Sequence, residues 1–253
     1  MDTRQKKYSP DTAIILAAGN ASRLGLMSIN TPKAMLKIKN KPLILYSVEK
    51  LLSSGIKNIR IVVNDKYNKD FEFLKMKFTE VEIVVNDKSV EYGNIYSLIL
   101  GVAQLDSPFL ILDADIAYEK RALDELLDLK QSDSILVSGF TNSKDEVWVC
   151  GVNKRLKTIS KIEVDAEILV GEFVGISKVS LNFFNFVISQ IKLNNELMHQ
   201  DYEYFLNSYA HSNEVEICFV QDLIWGEIDT VEHFNRMTSH VFPEIVKSEL
   251  STK

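Results

Sequence analysis

Four short segments hold residues whose types and spacing suit phosphate chemistry. The first is "LAAGNASRL" at residues 16–24, where an apolar run ends in Leu16, Ala17, Ala18, Gly19 and Asn20 and then reaches Arg23. Small residues let backbone N–H groups approach an anion, and a guanidinium meets the same charge with two parallel hydrogen bonds. The second, "TPKAML", places Lys33 just past Pro32, whose fixed φ sets the local backbone. A compact ammonium beside an anion loop is a phosphate ligand; Lys37, Lys39 and Lys41 read instead as solvated surface lysines. In the third, "FLILDADI", Asp113 and Asp115 close an apolar run, and strand alternation puts both on one face. Paired carboxylates there suit a hard cation such as Mg2+, the plainer alternative being a turn or helix cap. In the fourth, "WGEIDTVEHF", Glu227 and Asp229 repeat that spacing, and Asp229 with Glu232 also fits a capping box.

The elements that would position these groups alternate. "TAIILAA", "NIRIVVND", "VEIVVND" and "FLILDAD" read as strands; "PLILYSVEKLLSSG", "KDFEFLKMKF", "NIYSLILGVAQL" and "KRALDELLDL" read as helices between and after them. This rhythm, with near-continuous apolar strands, predicts an α/β three-layer sandwich around a mostly parallel, Rossmann-like mixed sheet. Ligands then belong at the carboxyl ends of the strands, where the first loop lies. "VVNDK" occurs twice, at Val62 and Val84, and reads as two similar strand ends. After Ser134 the pattern changes to short strands with tight turns, some antiparallel, "NKRLKT" being a hairpin tip. Helices follow at "SLNFFNFVISQIKL" and "QDYEYFLNSYA", with "VEICFVQD" a late strand. No linker interrupts the chain, so residues 1–253 read as one domain. Residues from about 12 to 134 read as one half, about 135–235 as a second half that caps it, and 236–253 as a last helix and a polar tail expected to fray.

A net charge of −6 excludes a broad basic surface of the kind that grips nucleic acid. No apolar run nears the ~20 residues a membrane helix needs, and the first residues lack the apolar core of a signal peptide. Cys150 and Cys218 have no metal or redox spacing, which fits a reducing, cytoplasmic setting. His199, His211, His233 and His240 lack ligand spacing and read as surface or packing histidines.

With "ILAAGNASRL", "TPKAML", "LDADI" and a late "EID" in this order, residues 13–235 resemble the nucleotidyltransferases that couple an NTP to a sugar phosphate or small alcohol phosphate. The family's loop usually carries Gly-x-Gly before Ser-Arg; here Ala21 stands at the second glycine, which at positive φ would cost roughly 1 kcal/mol. "VVNDK…YGNIYSL", "DEVWVCGV" and "EIDTVEHF" look closest to the small cytidylyltransferases acting on phosphocholine or 2-aminoethylphosphonate. This resemblance implies CTP and a small phosphate- or phosphonate-bearing acceptor as partners, with neither nucleic acid nor membrane; a homodimer stays open.

The resemblance also implies roles. Arg23 and Lys33 would be catalytic; Leu16, Ala17, Ala18, Gly19, Asn20, Asn94, Ser97 and Asp113 would bind the nucleotide; Asp115, Asp229 and Glu227 would hold Mg2+. The acceptor's cation would meet Trp148, Glu172, Asp201 and Tyr202, with "GEFVGISKVS" leaning toward 2-aminoethylphosphonate through Glu172. The rivals are a sugar-1-phosphate nucleotidyltransferase and a non-catalytic relative. A Rossmann dinucleotide binder is disfavoured because Gly-x-Gly-x-x-Gly is missing.

Overall fold

The computed structural model describes residues 9–19, 23–25, 31–162 and 168–251. Asn20 and Ala21 lie outside the described residues. The chain runs through β1 (Thr12–Ala17), a small hairpin of β2 (Lys37–Ile38) and β3 (Lys41–Pro42), and α1 (Leu43–Ser53). It continues with β4 (Asn58–Asn64), α2 (Asn68–Lys77), β5 (Val81–Asn86), α3 (Asn94–Val102), β6 (Phe109–Asp113), β7 (Ile116–Tyr118) and α4 (Arg121–Asp128). Next come β8 (Ser134–Ser138), β9 (Trp148–Val152), β10 (Arg155–Ser160), β11 (Leu169–Val179), α5 (Leu181–Leu193) and α6 (Tyr202–Ala210). Last are β12 (Glu216–Val220), β13 (Trp225–Glu227), α7 (Val231–Arg236) and α8 (Phe242–Ser251).

Nine strands form one sheet in the order β5-β4-β1-β6-β11-β8-β12-β10-β9. The β5-β4-β1-β6 part is parallel, as the alternation predicts. β11 runs antiparallel to both β6 and β8, so it joins the parallel part to the rest of the sheet. β1 is buried throughout, and its side chains serve two cores. Ala13, Ile15 and Ala17 join the layer with α1, α2 and α4, while Ile14 and Leu16 join the layer with α3, α5 and α6. That is a three-layer αβα sandwich, and it explains why the strand has no polar alternate.

Local chemistry sets the turns. Pro42 precedes α1 and Gly55, at φ +88, follows it, the usual proline-start and glycine-stop asymmetry. Asn153 and Lys154 both take positive φ (52 and 62) and close the β9–β10 hairpin at the expected tip. The repeated "VVNDK" has a structural reason. Asn64 and Asn86 are register partners on adjacent parallel strands, and each side chain accepts from the amide two residues on, Lys66 N and Lys88 N at 2.8 Å. Each ends its strand in an Asx turn.

Two elements were not legible from the pattern. β7 and β13 form a separate antiparallel ribbon that pairs Ile116 with Glu227. The tail does not fray through residue 251: α8 is helical to Ser251, and Glu249 accepts from Lys50 Nζ at 2.6 Å and from Lys120 N at 2.8 Å.

A third cluster packs beneath the loops. Leu24, Leu36, Ile38, Ala117, Ile228 and Phe242 come together there. Burying such side chains is worth roughly 1.5–3 kcal/mol each, so the neighbours of Arg23, Glu227 and Asp229 are firmly anchored.

Candidate active site

Three separate stretches deliver one charge cluster. Lys33 opens a 3-10 turn over Lys33–Met35, directly after extended Pro32. Asp115 lies in the turn between β6 and β7. Asp229 follows the last strand, and the backbone amide of Ile228 donates to the Asp115 carbonyl at 2.9 Å. That bond locks the two carboxylate-bearing segments side by side.

Lys33 Nζ bridges them, 2.8 Å from Asp115 Oδ2 and in direct contact with Asp229 Oδ1. Burial pulls this ammonium down, but Asp115 and then Asp229 outweigh it and hold it above the ordinary lysine range. Burial would likewise raise the Asp229 carboxyl, yet Lys33 and Arg23 keep it below its usual value. Arg23 spans Asp145 at 2.5 Å and Asp229 at 2.9 Å. Glu227 has no such partner among the described residues. Burial, then Asp115, Asp229 and Asp145, push its carboxyl up to about 9. Four carboxylates thus face two cations, a donor set of oxygens with a charge deficit that a hard dication fits.

Asp113 and Asp115 do not act as a pair on one strand face, because β6 ends at Asp113 and Asp115 lies in the turn. Asp113 points into a buried nest with the Tyr202 hydroxyl 3.5 Å away. Burial and then Glu203 raise its carboxyl well above the usual range. Gly175, at φ +80, makes room: a Cβ there would collide with Asp113 Oδ2. The capping-box reading is corrected too. Thr230 caps α7 by accepting from His233 N, which frees Asp229 for Lys33 and Arg23.

The remaining expectations divide. Leu16 and Ala17 end β1, with Ala18 and Gly19 at its carboxyl edge. Among the described residues, nothing lies within 4 Å of a Cβ added at Gly19. Ser97 is buried and accepts from Asn86 Nδ2 at 2.9 Å, so it braces α3 against β5. Asn94 accepts from the Tyr202 amide at 2.7 Å and joins α3 to α6. Asp201 meets Lys161 at 3.1 Å, and one buried oxygen of Glu203 has no hydrogen-bond partner among the described residues. Trp148 opens β9 and packs on Phe140 with ring centroids 5.0 Å apart.

Sequence reading missed Asp145 and Phe140. Neither stands out in its segment, and only the folded chain brings Asp145 to the charge cluster and Phe140 onto Trp148. It also read His233 as a packing histidine, whereas His233 stands among the carboxylates of Asp145, Glu227 and Asp229.

Glu172 is buried, with Oε2 accepting from Thr141 N at 2.8 Å and Oε1 from Thr141 Oγ1 at 3.2 Å. Both oxygens therefore hold the segment that carries Asp145. Burial raises its carboxyl to about 7 against the Thr141 bonds. A carboxyl raised on folding adds stability that is complete below its unfolded value and declines as pH rises to the folded one. The wild type should therefore lose on the order of 3 kcal/mol at most, relative to Glu172→Gln, between pH 4.5 and 7. Urea midpoints of the two proteins at pH 4.5, 6 and 8 check this, and parallel curves would refute it.

Residues 13–169 match the MobA-like NTP transferase domain. The chain belongs to the MobA-like NTP transferase family. A choline-phosphate cytidylyltransferase of Streptococcus pneumoniae is 47% identical over 104 residues, 41% of this chain and 44% of that protein. A bifunctional IPC transferase and DIPP synthase of Aquifex aeolicus is 26% identical, covering 94% of this chain and 53% of the relative. The chain thus spans about half the length of these curated relatives. The solved structure of CTP:phosphocholine cytidylyltransferase from Streptococcus pneumoniae superposes with a TM-score of 0.74 at 26% identity, over 90% of this chain and 97% of that one. In this MobA-like chain, Lys33 and Asp115 both lie within the matched domain, and Asp229 lies beyond its end.

Proposed function

We propose that the chain transfers CMP from CTP to a small acceptor bearing a phosphate or phosphonate and a cationic head group, and releases pyrophosphate. The observation that carries the reaction is Lys33 held between Asp115 and Asp229. An acceptor oxyanion attacks the α-phosphorus, a new P–O bond forms, and the bond to the β-phosphate breaks. The attacking oxygen is already anionic, so no general base is required. The chain's part is positioning and charge neutralisation. Ala17, Ala18, Gly19 and Arg23 would cradle the triphosphate, and Lys33 would meet the charge that gathers on the α-phosphoryl oxygens. Asp115, Asp229 and Glu227 would hold Mg2+, which when bound supplies Lewis-acid neutralisation of phosphate charge.

The acceptor reading rests on what lies deeper. Asp113, Asp201 and Glu203 crowd around Tyr202, and the Phe140–Trp148 pair offers an aromatic face. Burial pushes Asp113 and Glu203 toward their neutral forms, and a cationic head group would let them ionise; that and an aromatic face favour an amine or quaternary ammonium over a polyhydroxyl sugar. The 47% identity to a choline-phosphate cytidylyltransferase supports phosphocholine, and it weighs more than the Glu172 argument for 2-aminoethylphosphonate, since both Glu172 oxygens serve Thr141.

Pyrophosphate release with Mg2+ decides the matter. CTP, UTP, GTP, ATP and dTTP are offered against phosphocholine, 2-aminoethylphosphonate and glucose-1-phosphate. Turnover with CTP and phosphocholine at least tenfold above all other pairs is expected. A preference for 2-aminoethylphosphonate would correct the head group, and turnover only with glucose-1-phosphate would overturn the acceptor reading.

A further inference from the structure

Asp145, Glu227 and Asp229 each place a carboxylate oxygen within 4.8 Å of one another and of a His233 ring nitrogen. His233 is nine-tenths buried, with 9% relative exposure. Its Nε2 lies 3.1 Å from the Ser143 carbonyl oxygen. A carbonyl only accepts, so Nε2 carries a proton, and in the neutral ring Nδ1 then presents a lone pair. That Nδ1 is buried and has no hydrogen-bond partner among the described residues. One ring N–H on a backbone carbonyl and the other nitrogen bare is how histidine is presented to a metal. The buried Ser143 hydroxyl is unpartnered as well, and Ser143, Glu227 and His233 line one cavity. The packing-histidine reading leaves all of this unexplained, because a packing histidine would use both nitrogens or bury a CH edge instead.

We propose that Asp145, Glu227, Asp229 and His233 form a divalent-cation position with mixed nitrogen and oxygen ligands, which takes a transition-metal ion more tightly than Mg2+. The imidazole sets the preference, since Mg2+ keeps to oxygen ligands and near-ideal octahedra while first-row transition ions accept nitrogen. Arg23 is no obstacle. Its side chain is 57% exposed, so its bonds to Asp145 at 2.5 Å and Asp229 at 2.9 Å are held by a largely solvated guanidinium, and an entering dication that binds both carboxylates takes its place. Glu227 and Asp229 are shared with the magnesium position proposed above, but binding here needs neither nucleotide nor turnover, so the two readings fail separately.

The experiment is Mn2+ titrated into the purified full chain without nucleotide and read by pulsed electron paramagnetic resonance. Wild type should show 14N coupling of an imidazole ligand, replaced by a 15N pattern when the histidines are 15N-labelled. That arm needs no variant to fold. His233→Leu should lose the coupling and bind Mn2+ at least tenfold more weakly by calorimetry. His211→Gln should keep both, since His211 sits at the far end of α6 with Nδ1 on the Asn207 carbonyl. Bound Mn2+ without nitrogen coupling, equal affinity in His233→Leu, or no Mn2+ binding at all would each overturn the site. CTP turnover with Mg2+ in the absence of nitrogen coupling sinks this proposal and leaves nucleotidyl transfer standing. Nitrogen coupling in a protein inert toward every NTP does the reverse.

Discussion

Lys33→Ala should lower kcat for nucleotidyl transfer by about 10²–10³, or roughly 3–4 kcal/mol of transition-state stabilisation. Lys33 Nζ is the less exposed of the cluster's two cations, 17% against 57% for Arg23, and it keeps its proton because Asp115 and Asp229 hold it. A preorganised charge in a partly dry site costs no reorganisation when the α-phosphoryl charge develops. The loss should fall on kcat rather than on the acceptor's KM, because the charge Lys33 meets is greatest in the transition state. Lys33→Arg should rescue little, since a planar fork cannot replace a point charge between two carboxylates. Steady-state kinetics with saturating CTP check this, and a kcat within tenfold of wild type would remove Lys33 from the mechanism.

Asp229→Asn should cost at least as much, roughly 3–5 kcal/mol or 10²–10⁴-fold in kcat/KM. Asp229 Oδ1 is the shared acceptor of Lys33 and Arg23, so one isosteric change removes the charge that orders both cations. It also removes one of the oxygens proposed for Mg2+. The variant's residual rate should therefore be nearly insensitive to chelator, while wild-type activity falls to the same floor when EDTA is added. A variant that retains both its rate and its chelator sensitivity would place the metal and the chemistry elsewhere.

Much of this architecture was legible from period and composition. β1, β4, β5 and β6 read as apolar runs because both of their faces are covered, and the helices between them announced themselves by proline and glycine. Lys33, Asp115 and Asp229 were legible because each ends a recognisable run. The β7–β13 ribbon was not, since a three-residue strand carries no period of its own and exists only through its partner. Asp145 and His233 were hidden for a related reason. Their significance comes from neighbours far away in sequence, and nothing local distinguishes them from ordinary surface or packing residues. Glu172, which the resemblance offers as a ligand for an amine, is buried and bonded twice to Thr141, a bracing contact that nothing local in the sequence announces.

The Ile228 amide that binds the Asp115 carbonyl has a consequence for how the molecule is born. Lys33 and Asp229 are 196 residues apart in sequence. At synthesis rates of 5–20 residues per second, roughly 10–40 s separate their appearance from the ribosome. During that interval the parallel strands can pair, because their contacts are comparatively local, but the cluster lacks its hub. The closure that completes it joins distant ends of the chain and must overcome the entropy of a long loop, so it comes late in folding. The last event of assembly and the onset of reactivity are then the same event, and no nascent fragment shorter than Asp229 can present the finished site.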